Sequence, residues 1–468
     1  MFEAVIGLEV HLALRTRTKL FCGCAVSFGD EPNVHTCPVC LGLPGALPLL
    51  NGRALELALA FATALGASVP PATRFHRKHY FYPDAPKNYQ ISQDDVPVGS
   101  GGALVLPSGR RIGIVRCHLE EDAGRLVHPA YADHSLVDLN RAGAPLIELV
   151  TEPDLRSGEE ARDFLVEVRA LAQALGVSDA APEQGKMRAD VNVSIRRPGE
   201  PLGTKVEVKN LNSFRSVAAA IEHETKRQRQ LLEAGRAVRQ ETRGWNEGGQ
   251  RTYLLRTKET SADYRYMRDP DVPSVPLPAA RREAVAAALP EVPAAKLARY
   301  LALGVREEDA RQLAYDVQAA SFFDATLEVY GGAAQAVANW LVSEVPGRLN
   351  AAGLGLEQAA LEPAALARLL TLVDDGTISV TAAKELLPEL LTGADPDALV
   401  RERGLAQVSD PGALTTLVDE VLSAHPELVE RVRANPKAIN ALLGEVMRAS
   451  RGSAKPDLVR RLLEERLG

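Results

Sequence analysis

The chain changes its periodicity near residue 280, and this change limits the folds that are open to it. Before that point, β-branched stretches bounded by Gly and Pro turns alternate with a few helical stretches. Residues 111–120, 189–196 and 204–209 alternate apolar and polar side chains, which predicts strands with one buried face. After it, Ala, Leu and Glu recur at helical spacing. The sequence therefore predicts an α+β region with a largely antiparallel sheet, followed by an all-α region.

The length of 468 residues exceeds that of one typical core, so we expect several domains. We place the boundaries at 1–290, 291–405 and 406–468, with residues 270–278 as a proline-rich linker or extended strap. A strand is predicted at 4–10, and helices are predicted at 53–65, 158–175, 216–232, 309–330, 333–349, 363–374, 381–391, 411–424, 426–434, 437–449 and 455–465.

Charge and hydropathy exclude some classes of protein. The net charge of −7 does not suggest a nucleic-acid binder, but residues 431–467 hold nine Lys/Arg against four Asp/Glu, which is net +5. This basic segment includes Lys437 and Arg451. No apolar run approaches the roughly 18 residues that span a bilayer, and the N-terminus, with Glu3 and Glu9, lacks the basic start of a signal peptide. We expect a cytoplasmic protein without a membrane segment.

Four of the five cysteines form two close pairs, Cys22-Gly-Cys24 and Cys37-Pro-Val-Cys40. In a reducing compartment this clustering favours a metal over disulfides, and four thiolates suit one tetrahedral zinc ion. Such a site is structural, because it leaves no open position for substrate. His35 lies nearby as a substitute ligand. The alternative is four unrelated buried or free cysteines. Cys117 is predicted to be a core residue.

Acidic residues recur on the predicted strands. Glu9 and His11 are two residues apart on one strand, so both side chains point to the same face. Three other stretches carry acids, at 118–122, 188–192 and 205–209. A sheet that brings them together would offer oxygen ligands for Mg²⁺ or Mn²⁺. Glu120 and Glu121 are adjacent and should point to opposite faces, so we expect only one in the site. Taken singly, each acid is more simply a solvated surface residue.

The stretch 77–90 combines Arg77, Lys78 and Lys87 with four aromatic residues. Lysines of this kind can hold phosphates and aromatic rings can stack on a base, although a packed loop with solvated lysines explains the composition equally well. No Walker A motif, kinase signature or Gly-rich dinucleotide loop is present.

Several stretches together resemble one known family. They are Ile6-Gly-Leu-Glu-Val-His11, residues 77–84 with 86–93, His118-Leu-Glu-Glu-Asp-Ala-Gly124, residues 137–148 with 151–154, 209–214 and 435–440. The family is that of the B subunits of tRNA-dependent amidotransferases, and the resemblance runs nearly from end to end.

The resemblance implies a glutamine-synthetase-like catalytic domain with a zinc-binding insert at 1–290, a helical domain, and a helical tail domain that binds tRNA. It implies a heterotrimer with an amidase-type A subunit, which releases ammonia from glutamine, and a small C subunit. In this chain ATP would phosphorylate the side-chain carboxylate of Glu-tRNA(Gln), Asp-tRNA(Asn) or both. Ammonia that reaches the site through a channel would then displace phosphate to form the amide.

The resemblance also implies roles for residues. The magnesium ligands would be Glu9, His11, Glu121, Asp190 and Glu207, with Asn192 as a further candidate. Lys78, Tyr82 and Lys87 would bind the nucleotide, with the two lysines on its phosphates or, alternatively, at the mouth of the ammonia channel. Glu121, Lys78 and Lys87 would take part in catalysis, with Glu121 where ammonia enters.

Two other functions remain open at this point. A zinc-containing tRNA-binding protein without catalysis explains the cysteines and the basic tail, but not the acids repeated on strands beside lysines. A ligase that acts on a free small molecule explains the acids, but it has no need of a basic helical appendage.

Overall fold

The structure is a computed structural model that describes residues 2–129, 131–257, 264–406, 411–435, 438–450 and 454–467. The chain divides into two compact units, Met1–Val292 and Pro293–Gly468. Among the described residues, one cluster of buried apolar side chains lies in the first unit and two lie in the second. The protein belongs to the α+β class, with a large sheet in the first unit and helices throughout the second.

The first unit is organised around a sheet that has nine strands in the part of the chain that the structure describes. Its order is β14-β13-β12-β11-β1-β10-β7-β5, with β6 paired to β7. The neighbours are antiparallel except for the parallel pair β12 and β13. The strand bounds are β1 Glu3–Ala13, β5 Gly99–Ser100, β6 Ala103–Val105, β7 Arg111–Glu121, β10 Pro145–Thr151, β11 Met187–Arg196, β12 Val206–Lys209, β13 Glu241–Asn246 and β14 Arg251–Thr257.

Shorter strands complete the first unit. They are β2 Ala72–Thr73, β3 His76–His79, β4 Tyr89–Ser92, β8 Arg125–Val127, β9 Leu136–Asp138, β15 Met267–Arg268 and β16 Val275–Pro276. The proline-rich stretch 270–278 follows β15, which pairs with β3, and contains β16, which pairs with β2. It is therefore an extended strap rather than a free linker.

One face of the sheet is apolar and covered by helices. On β1 the side chains of Leu8, Val10 and Leu12 are buried in the same core as the apolar residues of three helices. These helices are α1 Gly52–Ala64, α2 Gly158–Ala174 and α3 Phe214–Glu233, and α4 Ala279–Ala287 also belongs to this unit. The side chains of Asn51, Ser157 and Ser213 accept hydrogen bonds from backbone N–H groups in the first turns of α1, α2 and α3, which fixes where each helix begins. The opposite face of the sheet is left for polar side chains.

The second unit is helical. Its helices are α5 Pro293–Ala302, α6 Glu307–Ala314, α7 Val317–Val329, α8 Ala334–Asn339, α9 Val345–Ala352, α10 Pro363–Asp374, α11 Val380–Leu390, α12 Pro396–Arg403, α13 Pro411–Ala424, α14 Pro426–Ala434, α15 Ile439–Ala449 and α16 Pro456–Leu467. A π-helical turn, Trp340–Glu344, joins α8 to α9.

The prediction of a single helix at 309–330 is wrong, because this stretch forms two helices, α6 and α7. The side chain of Asp316 accepts hydrogen bonds from the backbone N–H groups of Gln318 and Ala319, so it starts a new helix. Three helices, α4, α5 and α12, were not predicted.

The C-terminal helices of the second unit have a core of their own. The core of residues 414–463 is separate from the larger core of the unit. Lys437 and Arg451, two of the predicted basic residues, lie outside the described residues. In the described ranges, no helix combines the length and the hydropathy that crossing a bilayer requires.

Candidate active site and cysteine cluster

The polar face of the sheet brings carboxylates and imidazoles into one row. In the strand register, His11 on β1 lies opposite Glu148 on β10, and Glu148 lies opposite His118 on β7. The Nε2 atoms of His11 and His118 lie 3.5 and 3.6 Å from Oε2 of Glu148. Glu120 joins the row, since its Oε1 lies 3.6 Å from Nε2 of His11. Sequence-distant strands therefore bring these groups together through their register.

Two overlapping sets of ligand atoms arise from this row. One set is Glu9, His11 and Glu148, and the other is His118, Glu120 and Glu148. Within each set the ligand atoms lie within 4.8 Å of one another, and Glu148 belongs to both. The carboxylate oxygens of each set suit Mg²⁺ or Mn²⁺, whereas its imidazole nitrogen also suits softer divalent metals such as Zn²⁺.

The pKa values of this row show which protons a bound cation would displace. Burial and the neighbouring charge of Glu148 raise the pKa of Glu9 to about 7, and the same causes raise the pKa of Glu120. Burial alone would lower the pKa of His11, but its hydrogen bond with Glu148 and the charge of Glu120 raise it to about 9. Burial lowers the pKa of His118 to about 4. Glu9, Glu120 and His11 thus hold protons more tightly than usual, and a divalent ion would replace those protons.

Asp190 and Glu207 form a second acidic group on the same face. Asp190 lies opposite Glu9 in the register, on the neighbouring strand β11. Nζ of Lys209 lies 2.5 Å from Oδ2 of Asp190 and 3.2 Å from Oε1 of Glu207. Thr242 donates a hydrogen bond of 2.8 Å to Glu207. The structure thus places these two predicted ligands around a lysine rather than within the Glu148 sets.

Asn192, the further candidate, lies on β11, which runs between β1 and β12. It is opposite Gly7 on β1 and Glu207 on β12. Its Oδ1 is buried without a hydrogen-bond partner in the described part of the chain. An orphaned buried carbonyl oxygen beside the strand of Glu207 fits a place for a cation or a hydrogen-bond donor.

Glu121 has different partners from Glu120. Its Oε2 accepts a hydrogen bond from Nζ of Lys87 and another, of 3.0 Å, from the backbone N–H of Ile91. Both Glu120 and Glu121 nevertheless line the same cavity. This is possible because Glu121 is the last residue of β7, where the chain leaves the sheet.

The predicted phosphate-binding residues take three positions. Lys78 is partly buried, lines the cavity, and has its Nζ 5.1 Å from the centre of the Tyr264 ring. Burial would lower its pKa, but the charge of Glu120 raises it, so the side chain is an ammonium. Lys87 also lines the cavity. Tyr82 does not line it: its side chain is 52% exposed and stacks on Tyr80, which does.

The cavity has a volume of about 950 Å³, which suffices for a nucleotide together with a substrate side chain. Besides the acids, its wall carries six Lys and Arg side chains: Lys78, Lys87, Arg116, Arg188, Lys205 and Lys209. Carboxylates for a divalent ion and cations for phosphate oxygens therefore face one space.

The four cysteines converge as predicted. The Sγ atoms of Cys22, Cys24, Cys37 and Cys40 lie within 4.8 Å of one another. The hydrogen bond with Cys22 is the largest cause that lowers the pKa of Cys40 to about 4, and it raises the pKa of Cys22. Four convergent sulfurs fit a tetrahedral zinc ion. His35 takes no part, since its Nε2 lies 2.7 Å from Oδ2 of Asp30.

The loop that carries the cysteines forms part of the cavity wall. Cys40 itself lines the cavity. Gly42, with φ of +69°, lies so close to Lys87 that a Cβ there would meet Cγ of the lysine at 2.6 Å. The cysteine loop thus supports the lysine that binds Glu121.

Sequence reasoning missed Glu148 and His118 as site residues, and it assigned no role to Glu120. The signal for Glu148 was available, because it is the one charged residue of the strand Pro145–Thr151, where its neighbours on both sides are apolar. An unpaired carboxylate is rarely buried in such a strand unless it binds a partner.

Comparison with known proteins identifies the family. A profile described as the GatB/GatE catalytic domain matches residues 4–283, and one described as the GatB domain matches residues 321–467. The chain belongs to the GatB family. This GatB-family chain is 58% identical over 470 residues to the B subunit of the aspartyl/glutamyl-tRNA(Asn/Gln) amidotransferase of Thermus thermophilus, with 100% of both chains covered. It is 54% identical over 476 residues to the B subunit of the amidotransferase of the same name from Deinococcus radiodurans, with 100% of this chain and 99% of that one covered.

Proposed function

We propose that this GatB-family chain activates the side-chain carboxylate of Glu-tRNA(Gln), Asp-tRNA(Asn) or both with ATP and Mg²⁺, and then amidates it with ammonia. The observation that carries the proposal is the cavity in which Glu148 is shared by two sets of metal-ligand atoms and is surrounded by lysines and arginines. The full-length relatives named as amidotransferase subunits support it. The largely antiparallel sheet, with one polar face, supports a glutamine-synthetase-like catalytic domain.

Mg²⁺ would be held by Glu9, His11 and Glu148, with His118 and Glu120 around the shared carboxylate. When bound, it would neutralise the charge on phosphate oxygens during phosphoryl transfer. Asp190, Glu207 and Glu121 remain proposed ligands, for which Lys209 and Lys87 would have to move aside.

Lys78 and Lys87 would bind the phosphates of ATP. Both ammonium groups border the cavity, and the partial burial of Lys78 strengthens its attraction for an anion. The carboxylate oxygen of the aminoacyl group forms a bond to the γ-phosphorus, the bond to the ADP oxygen breaks, and an acyl phosphate results. Tyr82 remains a proposed contact of the nucleotide, which would require its ring to turn towards the cavity.

Ammonia would complete the reaction. Its nitrogen attacks the carbonyl carbon of the acyl phosphate, phosphate leaves, and one proton must be removed from the nitrogen. We assign this proton to Glu121, whose carboxylate lies on the cavity wall and is held by Lys87 and the N–H of Ile91. Ammonia would come from an amidase-type A subunit, with a small C subunit completing a heterotrimer in the cytoplasm.

The tail and the cysteine cluster would have supporting roles. Residues 406–468, with a separate core, would bind tRNA through their basic side chains. The four cysteines would hold a structural zinc ion. Deletion of residues 406–468 should weaken tRNA binding and leave zinc and magnesium content unchanged; equal tRNA affinity would contradict the role of the tail.

The direct test measures amide formation by the assembled complex on Glu-tRNA(Gln) and Asp-tRNA(Asn), with ATP, Mg²⁺ and an ammonium salt in place of glutamine. We expect product from ammonium, since activation and amidation are placed in this chain, and the preferred tRNA identifies the substrate. Binding of both tRNAs without any product would instead favour a non-catalytic tRNA-binding protein.

A further inference from the structure

A lysine is completely buried beside the four cysteines. Lys19 has an exposure of 0% and precedes Cys22 by three residues. Its Nζ donates hydrogen bonds to the backbone carbonyls of His35, at 2.7 Å, and Leu139, at 3.3 Å. The third contact is Sγ of Cys40, at 3.6 Å. In the stretches that the structure describes, no carboxylate oxygen lies within 4.0 Å of this ammonium.

A buried ammonium without an anion is strongly unfavourable, because carbonyl dipoles replace only part of its hydration. The thiol groups beside it can supply the missing charge. A divalent metal ion with four thiolates carries a net charge of −2, and a hydrogen bond from an ammonium to one thiolate offsets half of it.

We propose that Lys19 is the counter-cation of the cysteine centre, acting by donating a hydrogen bond to the metal-bound thiolate of Cys40. The inference rests on the structural zinc ion of the proposed function. Lys19 is a positioning residue, since it acts on the metal through a ligand. It makes the tetrathiolate site more stable, and the site in turn supplies the charge that a buried lysine requires.

The same side chain connects the cysteine centre to the wall of the cavity. The backbone N–H of Leu20 donates a 2.9 Å hydrogen bond to the carbonyl of Gly143, and Nζ of Lys19 holds the carbonyl of Leu139 in the same segment. Around Gly143, a Cβ would lie 3.5 to 3.6 Å from Oε1 of Glu121, Cβ of Cys40 and Cδ of Lys19. The counter-cation, a zinc ligand and the proposed proton acceptor therefore surround one glycine.

The test replaces Lys19 with methionine in the full chain, since methionine keeps the apolar stem and removes the charge. The control is Lys186→Met, which removes a partly exposed lysine that pairs with Asp179 at the surface of the same unit. We expect zinc affinity, measured by competition with a chromogenic chelator, to fall about 10- to 100-fold in Lys19→Met and to stay unchanged in the control.

Cobalt substitution adds a spectroscopic measurement. Its result would not change if Lys19 only filled space beside the cysteines. In Co²⁺-loaded protein, loss of the hydrogen bond to the Cys40 thiolate should shift the sulfur-to-cobalt charge-transfer bands to lower energy. Wild-type zinc affinity and an unshifted spectrum in Lys19→Met would overturn the proposal while leaving the zinc site standing. A wild-type chain that binds no stoichiometric zinc would overturn both.

A measurement on the wild type covers the case in which Lys19→Met does not fold. Amine acylation, followed by peptide mass spectrometry, compares Lys19 with Lys186 before and after zinc is removed by a chelator. We expect Lys19 to resist acylation in the zinc-loaded chain and to react after removal, while Lys186 reacts equally in both. Equal reactivity of Lys19 in the two states would contradict its link to the metal.

Discussion

The two ligand clusters of the first unit are assembled in different ways. The four cysteines lie within one loop between residues 22 and 40, so a short stretch of chain brings their sulfurs together. Hydrogen bonds from Asn33 and His35 to residues 137–140 also hold this loop. The carboxylate row takes its members from β1, β7 and β10, and residues more than a hundred positions apart meet because the strands pair in one register. A loop site depends on its metal for its shape, whereas a sheet site is in place before its metal arrives.

The difference predicts where each site is vulnerable. Loss of one ligand from the carboxylate row should affect chemistry with little effect on folding, because the sheet holds the remaining groups. Loss of one cysteine should affect the conformation of the loop, and chemistry through Cys40, Lys87 and Gly143, where the loop meets the cavity.

The largest effect is expected for Glu148→Gln. Glutamine keeps the shape but removes the charge that both sets of ligand atoms share, so kcat for amide formation should fall about 10²- to 10³-fold. The control is Glu3→Gln on β1, which removes a pair with Arg196 away from the cavity lining. Urea unfolding should show similar stability for the two variants. An unchanged kcat in Glu148→Gln would remove the carboxylate row from the mechanism.

The pH dependence of Mg²⁺ binding should be the next largest effect. With its pKa raised to about 7, Glu9 is protonated below that pH, and His11, with a pKa of about 9, is protonated below 9. Protons compete with the metal, so affinity should fall about tenfold per pH unit between pH 9 and 7 and more steeply below 7. Calorimetry without nucleotide measures this. Glu9→Gln should lose the extra steepness below pH 7, and a pH-independent affinity would contradict the ligand assignment.

Removal of the proposed zinc ion should have an intermediate effect. In Cys40→Ser, amide formation should fall about tenfold, because the loop no longer holds its part of the wall. Hydrogen exchange should increase in the cysteine loop and stay slow in β1, β7 and β10. The comparison between a loop site and a sheet site fails if exchange increases equally in both regions.

The smallest effect is expected for Gly42→Ala. Comparison with Gly45→Ala separates the effect of backbone strain from the effect of contact with Lys87. A Cβ at Gly42 would meet Lys87, whereas a Cβ at Gly45, which also has a positive φ of +85°, would meet no atom within 4 Å. Both alanine variants should lose about 1–2 kcal/mol of stability from the left-handed backbone, as measured by urea unfolding. Only Gly42→Ala should also raise KM for ATP. Equal kinetics would show that the loop does not position Lys87.

The same contrast explains how much could be predicted. The sulfur cluster followed from spacing alone, since C-x-C and C-x-x-C pairs are local. Glu9 and His11 followed from alternation on one strand, and the main strands and several helices, such as Pro363–Asp374, followed from periodicity. The register of the strands could not be predicted from the sequence, because it depends on which strands become neighbours. Glu148 was therefore missed although it is the shared ligand.

Helical periodicity gave a wrong prediction where one polar residue within it caps a helix. Asp316 lies within a stretch of helical periodicity and was included in a single helix, but its side chain caps a new one. Lys87 and Lys78 looked alike in sequence. Folding gives them different partners, since Lys87 lies in a turn and contacts the carboxylate of Glu121, whereas Lys78 lies on β3 and faces the ring of Tyr264.

We propose that the cavity containing Glu148 performs both activation and amidation. The most direct measurement is release of ADP and formation of Gln-tRNA(Gln) or Asn-tRNA(Asn) by the assembled complex with ammonium as the nitrogen source, comparing wild type with Glu148→Gln. We expect ADP and amide in equal amounts from the wild type, and the loss of both in the variant with tRNA binding intact. Wild-type amounts of both products from Glu148→Gln would contradict it.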